Sequence, residues 1–194
     1  MLSHKQTNAL PFLTGWVPGY YPSGVQLDVL ETMITAGGWT ICYDQPYSHM
    51  TTAADLTRCS SLGTFVLMGA KSSSGASNLT LLAAGATANA LATTSSTSVA
   101  YLENGAYWYN YPGMSVGFAE SSQVDLLYLD ANMYSECTQR LSWYLWGGGG
   151  VRAGCTTELY SGTAGATWRK LIYSSGIVLT HQMNTTYKHE YTIK

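Results

Sequence analysis

Chemistry at neutral pH needs titratable or nucleophilic side chains held together, and this sequence uses few of them. The chain carries 9 Lys and Arg, 11 Asp and Glu and 4 His. Glu103, Glu120, Asp125, Asp130 and Glu136 are the candidate acids. A glycosidase needs two carboxyl groups about 5 to 10 Å apart across a cleft. Spacing along the chain does not name such a pair, so glycoside hydrolysis stands as a lesser reading. Asp125 and Asp130 could touch calcium, yet no Asp-x-Asp-x-Asp-Gly loop surrounds them. The histidines, His4, His49, His181 and His189, are scattered. Only His49 lies in the body of the chain, five residues after Asp44, and it reads as a solvated loop residue. No Gly-x-Ser-x-Gly elbow, His-Glu-x-x-His pair, phosphate loop or dinucleotide fingerprint occurs. The expectation is a protein without catalytic residues, metal or cofactor.

Cysteine offers a different chemistry. Cys42, Cys59, Cys137 and Cys155 are even in number, with no Cys-x-x-Cys pair and no histidines nearby, which favours disulfides over zinc. Three pairings are possible, and closeness along the chain suggests Cys42–Cys59 and Cys137–Cys155. Each would contribute roughly 3 kcal/mol by limiting the unfolded chain. Two sequons, Asn78-Leu79-Thr80 and Asn184-Thr185-Thr186, fit a secretory route and make Asn78 and Asn184 candidate glycosylation sites.

Aromatics are the third group. Tyr107, Trp108, Tyr109 and Tyr111 bunch together, and Trp143, Tyr144 and Trp146 precede the run Gly147 to Gly150. Alternate residues of a strand face opposite ways, so one face of such a segment carries large aromatics into solvent unless a second layer covers it. Exposed Tyr and Trp beside Asn, Gln and Ser suit sugar stacking or protein contact. Trp108, Tyr109, Tyr111 and Trp146 are therefore the candidate ligand-binding residues. The plainer alternative, that both faces lie inside a sandwich, weighs more on sequence alone. Arg152 and Arg169 sit beside aromatic-rich strands and read as cations that stack or hold a carboxylate rather than clamp a ligand.

The elements that must position these residues are mostly strands. Only 10% of the 194 residues are charged, while 46% are hydrophobic, so Ser, Thr, Gly, Asn and Tyr replace the usual charge. A net charge of −2 without a basic cluster excludes nucleic acid as a partner. No run of 18 or more apolar residues occurs, so no transmembrane segment is expected. Gly37-Gly38-Trp39-Thr40-Ile41-Cys42-Tyr43 reads as a central strand with Trp39, Ile41 and Tyr43 on one face. Val25 to Val29 alternates as a half-buried strand. Thr51 to Cys59 reads as a short helix capped by threonine, with Asp55 near its start. Leu62 to Ala70 and Leu79 to Gly85 form a strand pair, and Thr87 to Ser98 a surface connection. Asn104-Gly105 between strand formers is a hairpin signature. Ser115 to Ala119, Val124 to Leu129, Arg140 to Trp146, Val151 to Cys155 and Thr167 to Tyr173 read as further strands. About ten short strands mean an all-β, disulfide-stapled antiparallel β-sandwich with at most one or two short helices. Residues 1–15 read as a polar lead, 16–175 as a single β domain, and 176–194 as a tail or an edge strand over Ile177-Val178-Leu179.

The ordered set Gly37-Gly38-Trp39-Thr40-x-Cys42-Tyr43, Cys59, Asn104-Gly105-x-Tyr107-Trp108-Tyr109, Arg140-Leu141-Ser142-Trp143, Arg152-Ala153-Gly154 and Thr167-Trp168-Arg169-x-x-Ile172-Tyr173 resembles an extracellular module of secreted and surface proteins. The resemblance spans roughly residues 15–175 and implies a secreted β module with no catalytic residues. The expected function is therefore extracellular recognition or adhesion, binding a carbohydrate or glycoprotein through exposed aromatics. The alternative is a structural subunit that assembles with other copies of itself into a fibre or coat by strand addition from a tail.

Overall fold

Strands covered on both faces need apolar residues at nearly every position, which leaves little room for charge. That condition holds across most of this molecule. The computed structural model describes residues 19–175. The expected lead 1–15 and tail 176–194, with His4, His181, His189 and Asn184, lie outside the described residues.

In chain order the elements are β1 (Gln26–Leu30), α1 (Glu31–Ala36), β2 (Thr40–Pro46), α2 (Ala53–Ser60), β3 (Phe65–Lys71), β4 (Asn78–Ala86) and α3 (Thr87–Ala90). There follow β5 (Tyr101–Glu103), β6 (Ala106–Tyr111), β7 (Ser115–Ala119), a 3-10 turn (Ala131–Tyr134), β8 (Leu141–Tyr144), β9 (Gly150–Ala153), β10 (Leu159–Tyr160) and β11 (Arg169–Ser175). One sheet runs β1-β4-β3-β11-β2 and the other β10-β9-β8-β7-β6-β5, and every pairing is antiparallel. The fold is all-β and sandwich-like, as its turn-punctuated short strands predict. Three short α-helices occur among the described residues, where one or two were expected. Leu30 to Ala36 and Thr87 to Ala90 lack a helical period long enough to read from sequence.

The two sheets share one core. Val66, Met68, Ala70, Leu81, Ala83 and Ile172 from the first meet Trp108, Val116, Phe118, Leu141, Trp143 and Val151 from the second. The outer face of the first sheet is covered too: Leu67, Leu82, Ala84, Leu171 and Tyr173 pack with Ile34 of α1, Trp39 and Tyr20. The outer face of the second carries Tyr109 and Ala119 under Val124 and Leu126. Period two thus sends neighbouring side chains of β3, β6 and β11 into different apolar layers.

Three expectations are corrected here. The Cys42 strand is not central: among the described residues β2 lies at the edge of its sheet, paired with β11. Trp39 and Tyr43 do not share a face either. The register slips at Cys42, where Ile172 pairs with Tyr43 and Tyr173 with Ile41. Such a bulge inserts one unpaired residue and turns the following side chains over. Trp39 therefore joins the outer layer, Tyr43 the inner core, and Ile41 stays exposed. Val124 to Leu129 is not a strand but a cover segment, tied by a single bridge between Leu126 and Asp130.

Local signals elsewhere match the structure. Asn104 and Gly105 take φ of 48° and 78°, the left-handed pair that a tight hairpin between β5 and β6 requires. Thr52 caps α2 reciprocally: its hydroxyl accepts from the Asp55 backbone N–H at 3.2 Å, and its own N–H donates to Asp55 Oδ2 at 2.9 Å. Cys42–Cys59 ties β2 to the end of α2, and Cys137–Cys155 ties the segment before β8 to the end of β9.

Candidate functional site

The carboxylates come first, because the sequence nominated them for acid–base chemistry. Three of them do converge, but on a guanidinium. Arg140 is wholly buried, with Nη1 donating to Asp130 Oδ2 at 2.6 Å and Nη2 to Glu136 Oε2 at 3.1 Å. Glu120 Oε1 lies 3.5 Å from Nε. Nη1 also donates to the Gln123 carbonyl, and Nη2 to the Ser121 hydroxyl. Asp130 is equally buried, and its other oxygen accepts the backbone N–H groups of Asp125 and Asn132. Burial opposes the charge on Arg140, yet the hydrogen bond and charge of Asp130 outweigh it and hold the guanidinium more firmly protonated than usual. The buried Asp130 carboxylate thus joins Arg140 to the Asp125 and Asn132 backbone and anchors the loop between them. Asp125 itself is exposed. Glu103 is engaged by the neighbouring turn: its oxygens accept from the Ala86 backbone N–H at 3.1 Å and the Asn89 side-chain amide at 2.7 Å.

Of the nominated aromatics, Trp108 and Tyr109 are fully buried. Trp108 packs at 5.3 Å from Phe118 between the sheets, and Tyr109 points the other way beneath the cover segment. The Tyr109 hydroxyl donates to the Leu141 carbonyl at 2.8 Å, and burial raises its pKa well above the usual value. Both leave the ligand-binding set, because β6 is coated on both faces. Tyr111 is half-buried against the same layer. Trp146 alone of the four is an exposed ring, at 58%.

Trp146 belongs to a shallow cleft of about 280 Å³ lined also by Tyr128, Tyr144, Tyr160, Glu158, Ser161, Gly147 and Gly149. β8 ends at Tyr144, and the glycine run folds the chain back on itself. Gly147, Gly148 and Gly149 all take positive φ, and a Cβ on Gly149 would lie 2.4 Å from the His49 carbonyl oxygen. The turn therefore admits only bare backbone, which lets Trp146 stand out at its mouth. The end of the cover segment brings Tyr128, whose ring sits 5.2 Å from Trp146 at 45°. β10 and its flanks bring Glu158, Tyr160 and Ser161. Tyr128 and Tyr160 are exposed by 54% and 57%. Beside them the Tyr134 hydroxyl donates to Glu158 Oε2 at 2.7 Å, which raises the phenol pKa. Arg152 stacks 4.6 Å over the Tyr134 ring. Arg169, by contrast, holds Asp44 at 2.8 Å.

A second cavity of about 440 Å³ opens between α2, Leu91 and Thr93, and the turn at Asn110 to Gly113. Its lining is hydroxyl and aliphatic, with no charged side chain. Thr51 forms part of its wall, and behind Thr51 lies Lys170. This lysine is buried, donates to the Thr51 hydroxyl at 2.9 Å and to the His49 carbonyl, and stands 5.6 Å from the Trp143 ring centroid. Burial pushes its pKa down to about 7, against the opposing charge of Asp55. His49, on the turn before α2, rests 3.6 Å from Asp55 in the first turn of that helix.

Sequence reasoning missed Tyr128, Glu158, Tyr160 and Lys170. The alternation of β11 does signal Lys170, two residues from inward-facing Ile172. Nothing local ties Tyr128 to Trp146, since a loop crossing brings them together. Asn78 lies at the start of β4 with its side-chain amide donating to Asp28 Oδ1 at 2.9 Å. No group of three or more His, Cys, Asp or Glu residues placed to hold a metal occurs among the described residues, nor does a helix long and apolar enough to cross a membrane. No protein-family model, curated protein or solved structure matches this chain.

Proposed function

We propose that the protein is a secreted, non-enzymatic recognition module whose Trp146 cleft stacks the sugar rings of a glycan or glycoprotein. The observation carrying this reading is the convergence of Tyr128, Trp146 and Tyr160 on one cleft, three of the five aromatic side chains that stand exposed among the described residues. Exposed large apolar side chains gathered in one place mark an interaction surface. The C–H face of a pyranose packs on such rings, and Glu158 and Ser161 supply the polar contacts that orient its hydroxyls. A cleft this shallow gives weak binding per site, in keeping with adhesion by many copies. Two disulfides are compatible with an oxidising compartment.

The test is a glycan array followed by calorimetric titration of the best ligand. Trp146→Ala abolishes binding and leaves the unfolding midpoint within error of the parent, because the ring is exposed. An array with no bound glycan, or a Trp146→Ala variant that binds as well as the parent, rejects the reading.

A further inference from the structure

The same cleft is aromatic on several sides and carries an acid without a base. Its lining includes Tyr128, Tyr144, Trp146 and Tyr160 with Glu158, and no Lys or Arg. Aromatic faces are electron-rich and attract cations. Tyr128 and Trp146 rest against one another at 45°, so the pair forms a single aromatic wall against which a ligand packs. Glu158 Oε2 takes the Tyr134 hydroxyl, while Oε1 accepts no hydrogen bond among the described residues. No ion pair to Glu158 forms among the described residues either. Arg152, the nearby cation, is committed elsewhere: it stacks on Tyr134 and donates Nε to the Thr156 carbonyl at 3.2 Å.

A carboxylate without a counter-ion, framed by ring faces, repels an acidic ligand and attracts an ammonium group. We propose that this cleft selects glycans bearing a free, protonated amino group, with Glu158 as the residue that discriminates. The assignment rests on the sugar reading of the cleft and narrows it to amino sugars. A lysine side chain presents the same ammonium, but the open, shallow cleft with Ser161 at its wall suits a ring with hydroxyls, and a peptide becomes one arm of the test.

The experiment is isothermal titration of the purified chain at about pH 6. The probes are a glucosamine tetramer, an N-acetylglucosamine tetramer, a galacturonic acid tetramer and trilysine. The glucosamine tetramer is expected to bind about tenfold tighter than its N-acetylated counterpart. The acidic tetramer is expected to bind most weakly of the sugars. In Glu158→Gln, which keeps an acceptor for the Tyr134 hydroxyl, the tenfold gap narrows to about twofold. Equal binding of the two glucosamine-type tetramers, or a gap that survives Glu158→Gln, overturns the amine selectivity while the sugar reading stands. Trilysine binding as tightly as the glucosamine tetramer overturns it too, since a bare ammonium would then suffice. If neither tetramer binds while another glycan on the array does, the amine selectivity falls and the sugar reading stands; if no glycan binds at all, both fall.

Discussion

Replacing Asp130 by Asn tests whether the buried arginine holds the second sheet's cover segment. Arg140 and Asp130 are both fully buried, whereas Glu136 is 60% and Glu120 33% exposed. Exposed ion pairs are worth about 0 to 1 kcal/mol because water already solvates both charges. Removing one partner of a buried pair costs about 3 to 5 kcal/mol, since the remaining charge has no solvent to turn to. Asn keeps Oδ1 for the Asp125 and Asn132 N–H groups, so the change falls on the side that faces Arg140. Its amide also sets a donor against Nη1. Asp130→Asn is therefore expected to lower stability by about 3 kcal/mol or more, and Glu136→Gln by under about 1 kcal/mol. The assay is equilibrium unfolding in urea with disulfides intact, at low and high salt. Salt should erase the small Glu136→Gln effect and leave the Asp130→Asn effect in place, because the Debye length matters only where water reaches. Equal costs for the two variants, or an Asp130→Asn cost below about 1 kcal/mol, would refute the assignment of the network's strength to the Arg140–Asp130 pair.

Three further outcomes follow from the same geometry. Lys170 has a folded pKa of about 7, below its unfolded value. Between these values the unfolded chain binds more protons, so stability should rise from pH 7 toward pH 10, by at most about 1.4 kcal/mol per pH unit. Unfolding midpoints across that range should show the rise in the parent and a flat profile in Lys170→Met; a rise that persists in the variant assigns it to another group. Trp108→Ala, which empties a fully buried site, should cost about 3 to 5 kcal/mol in urea unfolding, against under about 0.5 kcal/mol for exposed Trp146→Ala. Comparable losses would mean that Trp146 is structural. Under mild reductant, thiol alkylation read by mass spectrometry should label Cys137 and Cys155 before Cys42 and Cys59, because Cys155 is exposed whereas Cys59 is fully buried. Labelling in the reverse order would show that access does not control reduction here.

Much of the fold was determined within short windows. Asn104-Gly105 specifies its hairpin because few residues other than Gly and Asn accept φ above zero. Thr52 and Asp55 specify the start of α2 because each satisfies the other's backbone N–H. The cysteine pairs followed from closeness along the chain, and low charge with turn-punctuated strands pointed to an all-β sandwich. Tertiary structure decided what depends on neighbours remote in sequence. A bulge opposite Ile172 and Tyr173 moved Trp39 and Tyr43 into different layers, and residues 124–126 covered Tyr109. Two aromatic-rich segments therefore met different fates, with Trp108 of β6 in the core and Trp146, two residues past β8, in the open. Three of the five carboxylates nominated for catalysis were drawn to Arg140, and the cleft was assembled from the cover segment, the glycine turn and β10. A single strand's alternation states which residues share a face, but only the packed sheets state whether that face meets water.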